Sequence, residues 1–231
     1  MVTILISGAN RGLGLEFASQ YAAEGAEVFA ACRSAASADS LRNIQKNAAK
    51  GFSVVEMDVT DLESIRRVAA QLNEVSIDVL INGAGIVGAP GQTSGNIDYK
   101  SWARVLDVNT LGPMRVLECF IEHIARSERK LVITITSAMG SFADNKAGGS
   151  IAYRSSKAAV NMAMRSAAID LAPRGVSCVL IHPGWVRTDM GGPNAPLSPQ
   201  ESVSAMRQLI ENLGPKNSGR FYSYDGREYP W

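Results

Sequence analysis

Short apolar runs alternate along the chain with longer stretches in which apolar residues recur every three or four positions. The short runs are almost continuously apolar, which indicates strands buried on both faces of a parallel sheet. The longer stretches have the periodicity of helices. We predict strands at residues 2–7, 27–32, 52–57, 77–82, 130–136, 176–181 and 220–222, and helices at residues 11–24, 37–50, 61–73, 99–127, 151–171 and 199–212.

The β-then-α order predicts right-handed crossovers and an α/β fold, a doubly wound parallel sheet of about seven strands with helices on both faces. The alternation continues through residues 1–231 without a linker, so we expect one domain. Two stretches rich in Gly, Pro and Ser, at residues 83–95 and 190–199, follow predicted strands. Ligand-binding loops of open α/β sheets lie at such positions.

Composition excludes several classes of protein. Lys and Arg total 23 and Asp and Glu total 22, so the net charge of +1 does not favour nucleic-acid or membrane-surface binding. The apolar content of 46% excludes a disordered chain, and no apolar run reaches the roughly 18 residues of a membrane-spanning helix. We expect no signal peptide. The three cysteines and two histidines have no metal-ligand spacing, so we expect no metal site and a reduced, cytoplasmic setting.

A glycine-rich turn joins the first predicted strand to the first predicted helix. Gly8, Gly12 and Gly14 have the spacing G-x-x-x-G-x-G. Glycine allows a tight turn and lets the backbone approach a pyrophosphate, while the helix N-terminus supplies free N–H groups and the positive end of its dipole. The turn therefore predicts a dinucleotide site, and the alternative is a tight turn without a ligand.

The end of the second strand bears on the choice of cofactor. An NAD site usually has a carboxylate there for the ribose 2′-hydroxyl, whereas this chain has Arg33. A guanidinium suits a 2′-phosphate, and Arg11 in the glycine-rich turn supplies a second positive charge. These residues predict NADP(H), unless Arg33 is only a solvated loop residue.

Tyr153 and Lys157 are four residues apart in a predicted helix and therefore lie on one face. A nearby ammonium lowers the pKa of a tyrosine, which ordinarily titrates near 10. Such a tyrosine can exchange a proton with a carbonyl oxygen as hydride is transferred. Ser137, at the end of a predicted strand, is either a hydrogen-bond partner for that oxygen or a strand-end cap. A Tyr-x-x-x-Lys pair alone also fits an exposed helix surface.

These residues fall into a longer series of motifs. The chain resembles the short-chain dehydrogenase/reductase family, in its single-domain Rossmann-like branch, over essentially its whole length. The motifs that carry the resemblance are Gly8-x3-Gly12-x-Gly14, Asp58-Val59-Thr60, Asn82-Gly83-Ala84-Gly85, Asn109, Ser137, Tyr153-x3-Lys157, and Pro183-Gly184 with Thr188.

The resemblance implies a role for each catalytic residue. Tyr153 is the acid/base, Ser137 orients the substrate carbonyl, Lys157 holds the nicotinamide ribose, and Asn109 holds a water that relays protons to Lys157. From the residues alone, Asn109 fits equally a helix kink or a loop-bonding position. The cofactor-binding residues implied by the resemblance are Gly8, Asn10, Arg11, Gly12, Leu13, Gly14, Arg33, Asp58, Val59, Asn82, Gly83, Ala84, Gly85, Tyr153, Lys157, Pro183, Gly184, Val186 and Thr188.

Residues 10–14 and 218–231 resemble the branch that contains sniffer-type carbonyl reductases and C-factor-like signalling proteins. This similarity implies an NADPH-dependent reductase of a small-molecule carbonyl or secondary alcohol. The alternative is a dinucleotide-binding signalling or sensing protein with little catalysis. The resemblance also implies a homodimer formed through the helices at residues 99–127 and 151–171.

Other side chains receive simpler interpretations. We expect His123 to be exposed on its helix and His182 to be a packed strand-end histidine. A second set of residues either forms the apolar walls of a substrate pocket or belongs to the core. These residues are Met139, Phe142, Trp185 and Met190.

Overall fold

The computed structural model describes residues 1–36, 38–48 and 51–231. The described residues form a seven-stranded parallel sheet in the order β3-β2-β1-β4-β5-β6-β7, which confirms the predicted fold. The strands are β1 (Thr3–Ser7), β2 (Glu27–Cys32), β3 (Phe52–Glu56), β4 (Val79–Asn82), β5 (Leu131–Ile135), β6 (Ser177–His182) and β7 (Phe221–Ser223). The helices are α1 (Gly12–Ala23), α2 (Asp39–Asn47), α3 (Leu62–Gln71), α4 (Tyr99–Leu106), α5 (Gly112–Ala125), α6 (Ile151–Asp170) and α7 (Pro199–Glu211).

Apolar side chains on both faces of the sheet explain why the strand sequences do not alternate with polar residues. In β1, Ile4 and Ile6 belong to one core and Leu5 to the other. The first core packs against α1, α2 and α7, and the second against α3, α5 and α6. Burial of these aliphatic side chains stabilises the sheet by roughly 1.5–3 kcal/mol each.

The predicted helix at residues 99–127 is divided in the structure. A π-helical turn, Asp107–Leu111, separates α4 from α5, and α5 ends at Ala125. Pro113, near the start of α5, lacks the N–H that would continue the regular α-helical pattern. The turn places Asn109 inside the molecule, and single π-helical turns frequently mark functional sites.

Residues 37, 49 and 50 of the predicted helix at 37–50 lie outside the described residues, and the described part forms α2. The expectation that His123 is exposed is wrong. Its ring is buried against Phe120, with Nε2 3.0 Å from the Ala69 carbonyl oxygen, because this face of α5 packs onto α3.

No helix among the described residues is long and apolar enough to cross a bilayer.

Candidate active site

A cleft at the carboxyl ends of the strands contains most of the predicted site. It encloses a cavity of about 510 Å³. The predicted cofactor-binding residues that line it are Gly8, Asn10, Arg11, Gly12, Leu13, Gly14, Arg33, Asp58, Val59, Gly83, Ala84, Gly85, Tyr153, Lys157, Pro183 and Thr188. Three predicted residues are not among those that line it: Asn82, which ends β4, and Gly184 and Val186, which follow β6.

Steric contacts explain the glycines of the first turn. Gly8 has a φ of +72°, and a Cβ atom there would lie 2.7 Å from the Ala84 Cα. A Cβ on Gly14 would collide with the Gly8 carbonyl oxygen. The Arg11 side chain at the N-cap of α1 makes no capping hydrogen bond with another described residue. The N–H groups of the first turn of α1 therefore lie at the cleft and are available to donate hydrogen bonds to an anion.

Positive side chains surround Asp58 at the outer end of the cleft. Its Oδ1 accepts hydrogen bonds from the Thr60 N–H at 2.9 Å and from the Thr60 hydroxyl at 2.8 Å. Partial burial opposes ionisation of Asp58, but these bonds and the charges of Arg104 and Arg33 lower its pKa below the usual value. Sequence reasoning missed Arg104, which lies on α4 without a motif and reaches the cleft only through the tertiary fold.

Burial controls the protonation of Tyr153 and Lys157, which lie in the first two turns of α6. The Lys157 amine donates to the Ile135 carbonyl oxygen at 2.9 Å and lies 5.7 Å from the centre of the Tyr153 ring. Loss of hydration lowers the pKa of Lys157 to about 8. Burial raises the pKa of Tyr153 to about 12, partly opposed by the Ser137 hydroxyl. This direction is opposite to the one expected from the Lys157 charge, because desolvation of the phenolate dominates.

Asn109 is bonded on both sides of its amide. Its Oδ1 accepts from the Ile86 N–H at 2.8 Å, and its Nδ2 donates to the Ile86 carbonyl at 2.8 Å and to the Ser156 hydroxyl at 3.0 Å. These bonds match the loop-bonding interpretation. A Cβ on Gly85 would lie 3.5 Å from Asn109 Oδ1 and 3.8 Å from Lys157 Nζ, so both groups flank Gly85. The water relay through Asn109 stays a prediction.

Ser137 follows β5 and caps a short 3₁₀ turn, in which its Oγ accepts from the Met139 N–H at 3.1 Å. The strand-end cap is therefore present. The same hydroxyl hydrogen-bonds with Tyr153, so the side chains expected to contact a carbonyl oxygen lie together. Their role in orienting a substrate stays a prediction.

The residues expected to form substrate walls separate into two places. Met190 lines the cleft, where its Sδ accepts a hydrogen bond from the Tyr153 hydroxyl at 3.7 Å, and Trp185 lies on the same loop. Met139 and Phe142 instead line an apolar groove of about 840 Å³ beside α6, together with Met162. We call this second concavity the outer groove. Met190 lines the cleft, whereas Met139 and Phe142 line the outer groove, so a role for these residues as substrate walls stays a prediction.

Within the described ranges, no group of three or more His, Cys, Asp and Glu side chains is arranged to hold a metal ion. The two histidines are accounted for by packing. His182 lies at the end of β6 with its ring edge-on to Tyr229, and burial lowers its pKa to about 4.

Comparisons with known proteins agree with this geometry. C-signal of Myxococcus xanthus is 48% identical over 155 residues, which cover 67% of this chain and 93% of that protein. The structure of the carbonyl reductase Sniffer of D. melanogaster superposes with a TM-score of 0.93 at 31% identity, covering 100% of both chains. The NADPH-bound carbonyl reductase from chicken fatty liver superposes with a TM-score of 0.90 at 34% identity, covering 99% of this chain and 98% of that one.

The family comparison covers most of the chain. A family model described as short chain dehydrogenase matches residues 2–196, a range that includes the glycine-rich turn, Ser137, Tyr153 and Lys157. With the seven-stranded sheet and the cleft at its carboxyl edge, this match is sufficient to assign the family: the chain is a member of the short-chain dehydrogenases, an oxidoreductase family.

Proposed function

We propose that this chain is an NADPH-dependent carbonyl reductase that interconverts a carbonyl group and a secondary alcohol, with Tyr153 as the general acid/base. The observation that carries the proposal is the cleft that joins the N-terminus of α1 to the buried Tyr153 hydroxyl and Lys157 amine. The similarity to carbonyl reductases over the whole chain supports the same activity.

The residues of the cleft fit a phosphorylated dinucleotide. The first turn of α1 offers N–H groups to a pyrophosphate, and the absence of a Cβ at Gly12 leaves the backbone accessible. Arg33 and Arg104 give the outer end a positive potential that suits a 2′-phosphate. A structural neighbour binds NADPH. When bound, this cofactor supplies the hydride.

The protein side chains then manage the proton. During reduction the carbonyl carbon accepts hydride, and the Tyr153 O–H bond breaks as its proton passes to the carbonyl oxygen. A pKa raised by burial keeps the phenol protonated at neutral pH, as a proton donor requires. Ser137, which bonds with Tyr153, orients the same oxygen, and Lys157 returns a proton to the phenolate, with Asn109 completing the path to solvent.

The test is NADPH oxidation measured against a panel of quinones, aldehydes, diketones and ketosteroids. Tyr153→Phe removes only the hydroxyl, so we expect turnover to fall by about 100-fold or more while NADPH still binds. Tyr99→Phe, on the exposed surface of α4, is the matched control and keeps wild-type turnover. Equal turnover in Tyr153→Phe and the wild type would reject the proposed role of Tyr153.

A second candidate function is signalling or sensing through a bound dinucleotide. The 48% identity to a protein named C-signal favours it. The same experiment separates the two functions. Tight NADPH binding by a wild type that reduces no carbonyl in the panel would support the signalling function over the reductase.

We also propose a homodimer with a small-molecule substrate in each cleft. Exposed apolar side chains lie on the outer surface of the helices predicted to pair, with Leu111 before α5 and Met162 and Ile169 on α6. The reduced cytoplasm is the proposed compartment, in keeping with the free thiols of Cys32, Cys119 and Cys178.

A further inference from the structure

The side chain of Met190 covers the reacting hydroxyl of the cleft. Its Sδ lies 3.7 Å from the Tyr153 Oη and accepts the hydrogen bond that this hydroxyl donates. Tyr153 is buried, with 9% of its surface exposed, whereas Met190 is 47% exposed. Met190 therefore lies between the tyrosine hydroxyl and the mouth of the cleft.

A substrate carbonyl needs the same position. Its oxygen must approach the Tyr153 Oη to about 2.7 Å to receive the proton, and the phenol has one proton to donate. The Met190 sulfur and the carbonyl oxygen therefore compete for one hydrogen. A thioether is a weak acceptor, so a carbonyl oxygen is the stronger partner. Substrate binding then requires the methionine side chain to move aside.

The backbone around Met190 is held, so the side chain is the part that yields. The Gly191 N–H donates to the Thr188 hydroxyl at 3.2 Å, and the Trp185 indole N–H donates to the Gly191 carbonyl at 2.8 Å. The base of the loop is closed by the Arg187 N–H and the Leu197 carbonyl at 2.8 Å. An unbranched methionine with three rotatable bonds can swing without disturbing these contacts.

The apolar surface beside Met190 determines which substrates can displace its side chain from the Tyr153 hydroxyl. Trp185 is 57% exposed on the same loop, and Val87, which lines the same cleft, is 38% exposed. A displaced Met190 side chain adds its own polarisable surface to this mouth. A substrate with a broad apolar body packs against that surface, whereas a small carbonyl compound must displace the methionine without this contact.

We propose that Met190 is a specificity-determining residue, whose thioether covers the Tyr153 hydroxyl and yields to carbonyl compounds with an apolar body large enough to pack against it. This inference rests on the proposed reductase function. According to this inference, the rotatable side chain of Met190 discriminates between broad and small substrates.

The test compares Met190→Ala and Met190→Leu with the wild type, using phenanthrenequinone as the broad substrate and butanedione as the small one. Met190→Ala removes both the cover and the wall. We expect kcat/KM to rise for butanedione and to fall for phenanthrenequinone, so that the ratio of the broad to the small substrate drops by about tenfold, within the range for a lost apolar contact in a pocket. The change is expected in KM, with kcat nearly unchanged, because Tyr153 and Lys157 are intact.

Two controls isolate the contact. Met190→Leu keeps the bulk without the sulfur acceptor, so the ratio stays near the wild-type value. Met162→Leu removes a thioether on the outer surface of α6 and leaves the ratio unchanged. The Kd for NADPH is measured by fluorescence in each variant, because Met190 lines the same cavity as the glycine-rich turn and a change in cofactor binding must be separated from a change in selectivity.

The outcomes separate this inference from the proposed function. A wild type that reduces neither substrate overturns both. An active wild type with the same selectivity ratio in Met190→Ala overturns the role of Met190 alone. A ratio that falls in Met190→Ala, and not in either leucine variant, supports it.

Discussion

Burial acts in opposite directions on the two ionisable residues at the centre of the cleft. It raises the pKa of Tyr153 and lowers that of Lys157, so both residues are pushed toward their neutral forms. The fold therefore holds an ammonium at neutral pH in a place that disfavours charge. A hydrogen bond to the Ile135 carbonyl compensates only part of the lost hydration.

Lys157→Met should make the protein more stable and inactive. Because the folded-state pKa of Lys157 is lowered from 10.5 to about 8, the unfolded chain binds more protons between these values. The free energy of unfolding of the wild type therefore rises as pH increases from 8 toward 10.5, by about 3 kcal/mol at most. Below pH 8 the full penalty is present, so replacing the amine with an uncharged thioether side chain relieves it there.

Urea denaturation at pH 7, 8.5 and 9.5 measures this difference. The Lys157→Met substitution should raise the free energy of unfolding more at pH 7 than at pH 9.5. If the free energy of unfolding varied with pH in the same way in the wild type and in Lys157→Met, burial of the Lys157 charge would not destabilise the protein.

A substitution of Arg33 tests the preference for NADPH over NADH. Arg33→Asp replaces a cation with a carboxylate, which repels a 2′-phosphate and accepts hydrogen bonds from ribose hydroxyls. We expect the Kd for NADPH to rise by about tenfold or more and the preference to move toward NADH, as for a lost charge-assisted bond. Arg67→Asp, an exposed change of the same charge on α3, is the control. Unchanged preference in titrations with both nucleotides would remove Arg33 from the site.

Contacts between elements hold the proposed catalytic side chains in place. The 3₁₀ turn after Ser137 packs closely on α6, and Gly140 makes the approach possible. A Cβ at this position would lie 2.8 Å from the Lys157 carbonyl carbon and 2.9 Å from the Lys157 Cβ. Both neighbours belong to the helix at its backbone, so neither can move without α6.

Gly140→Ala should therefore displace α6 and with it Tyr153 and Lys157. We expect a loss of about 1–3 kcal/mol of stability, the usual range for an overpacked contact, together with a fall in kcat. Gly214→Ala is the control, since a Cβ there meets no described atom within 4 Å and the φ is not positive. Thermal denaturation and turnover are measured together. Wild-type kcat in a destabilised Gly140→Ala would show that the packing does not position the catalytic pair.

Local pattern predicted the elements well where burial is continuous. The apolar runs of β1 and β2 identify these strands to within a residue, because both faces of the sheet are covered. A helix kink was one of two interpretations of Asn109, but the sequence pattern did not divide the 99–127 helix, since residues 107–111 keep helical periodicity and the bonds between Asn109 and Ile86 join separate elements. Arg104 and the contact of Met190 with Tyr153 join positions far apart in the chain, which no local pattern reveals.

At the scale of the whole molecule, a substitution on the outer surface of α6 tests the proposed homodimer. Met162→Glu would place a charge in the proposed helix pairing, where it cannot keep its hydration. We expect the wild type to elute with a light-scattering mass of about twice 24.6 kDa, and the variant near 24.6 kDa. Glu118→Gln, an exposed change on α5 that introduces no buried charge, serves as the control. A wild-type mass near 24.6 kDa would reject the dimer.

The strand order has a consequence for the way the chain emerges during translation. β1 lies inside the sheet, with β2 and β3 on one side and β4 to β7 on the other. β1, β2 and β3 can therefore pair as soon as they leave the ribosome, but the other edge of β1 stays unpaired until β4 is synthesised. Because the strand pairings of the described sheet are parallel, each new strand must wait for a complete crossover. Ser137, Tyr153 and Lys157 join later, so a stalled chain would expose an open sheet edge before it held any of the residues proposed to transfer the proton.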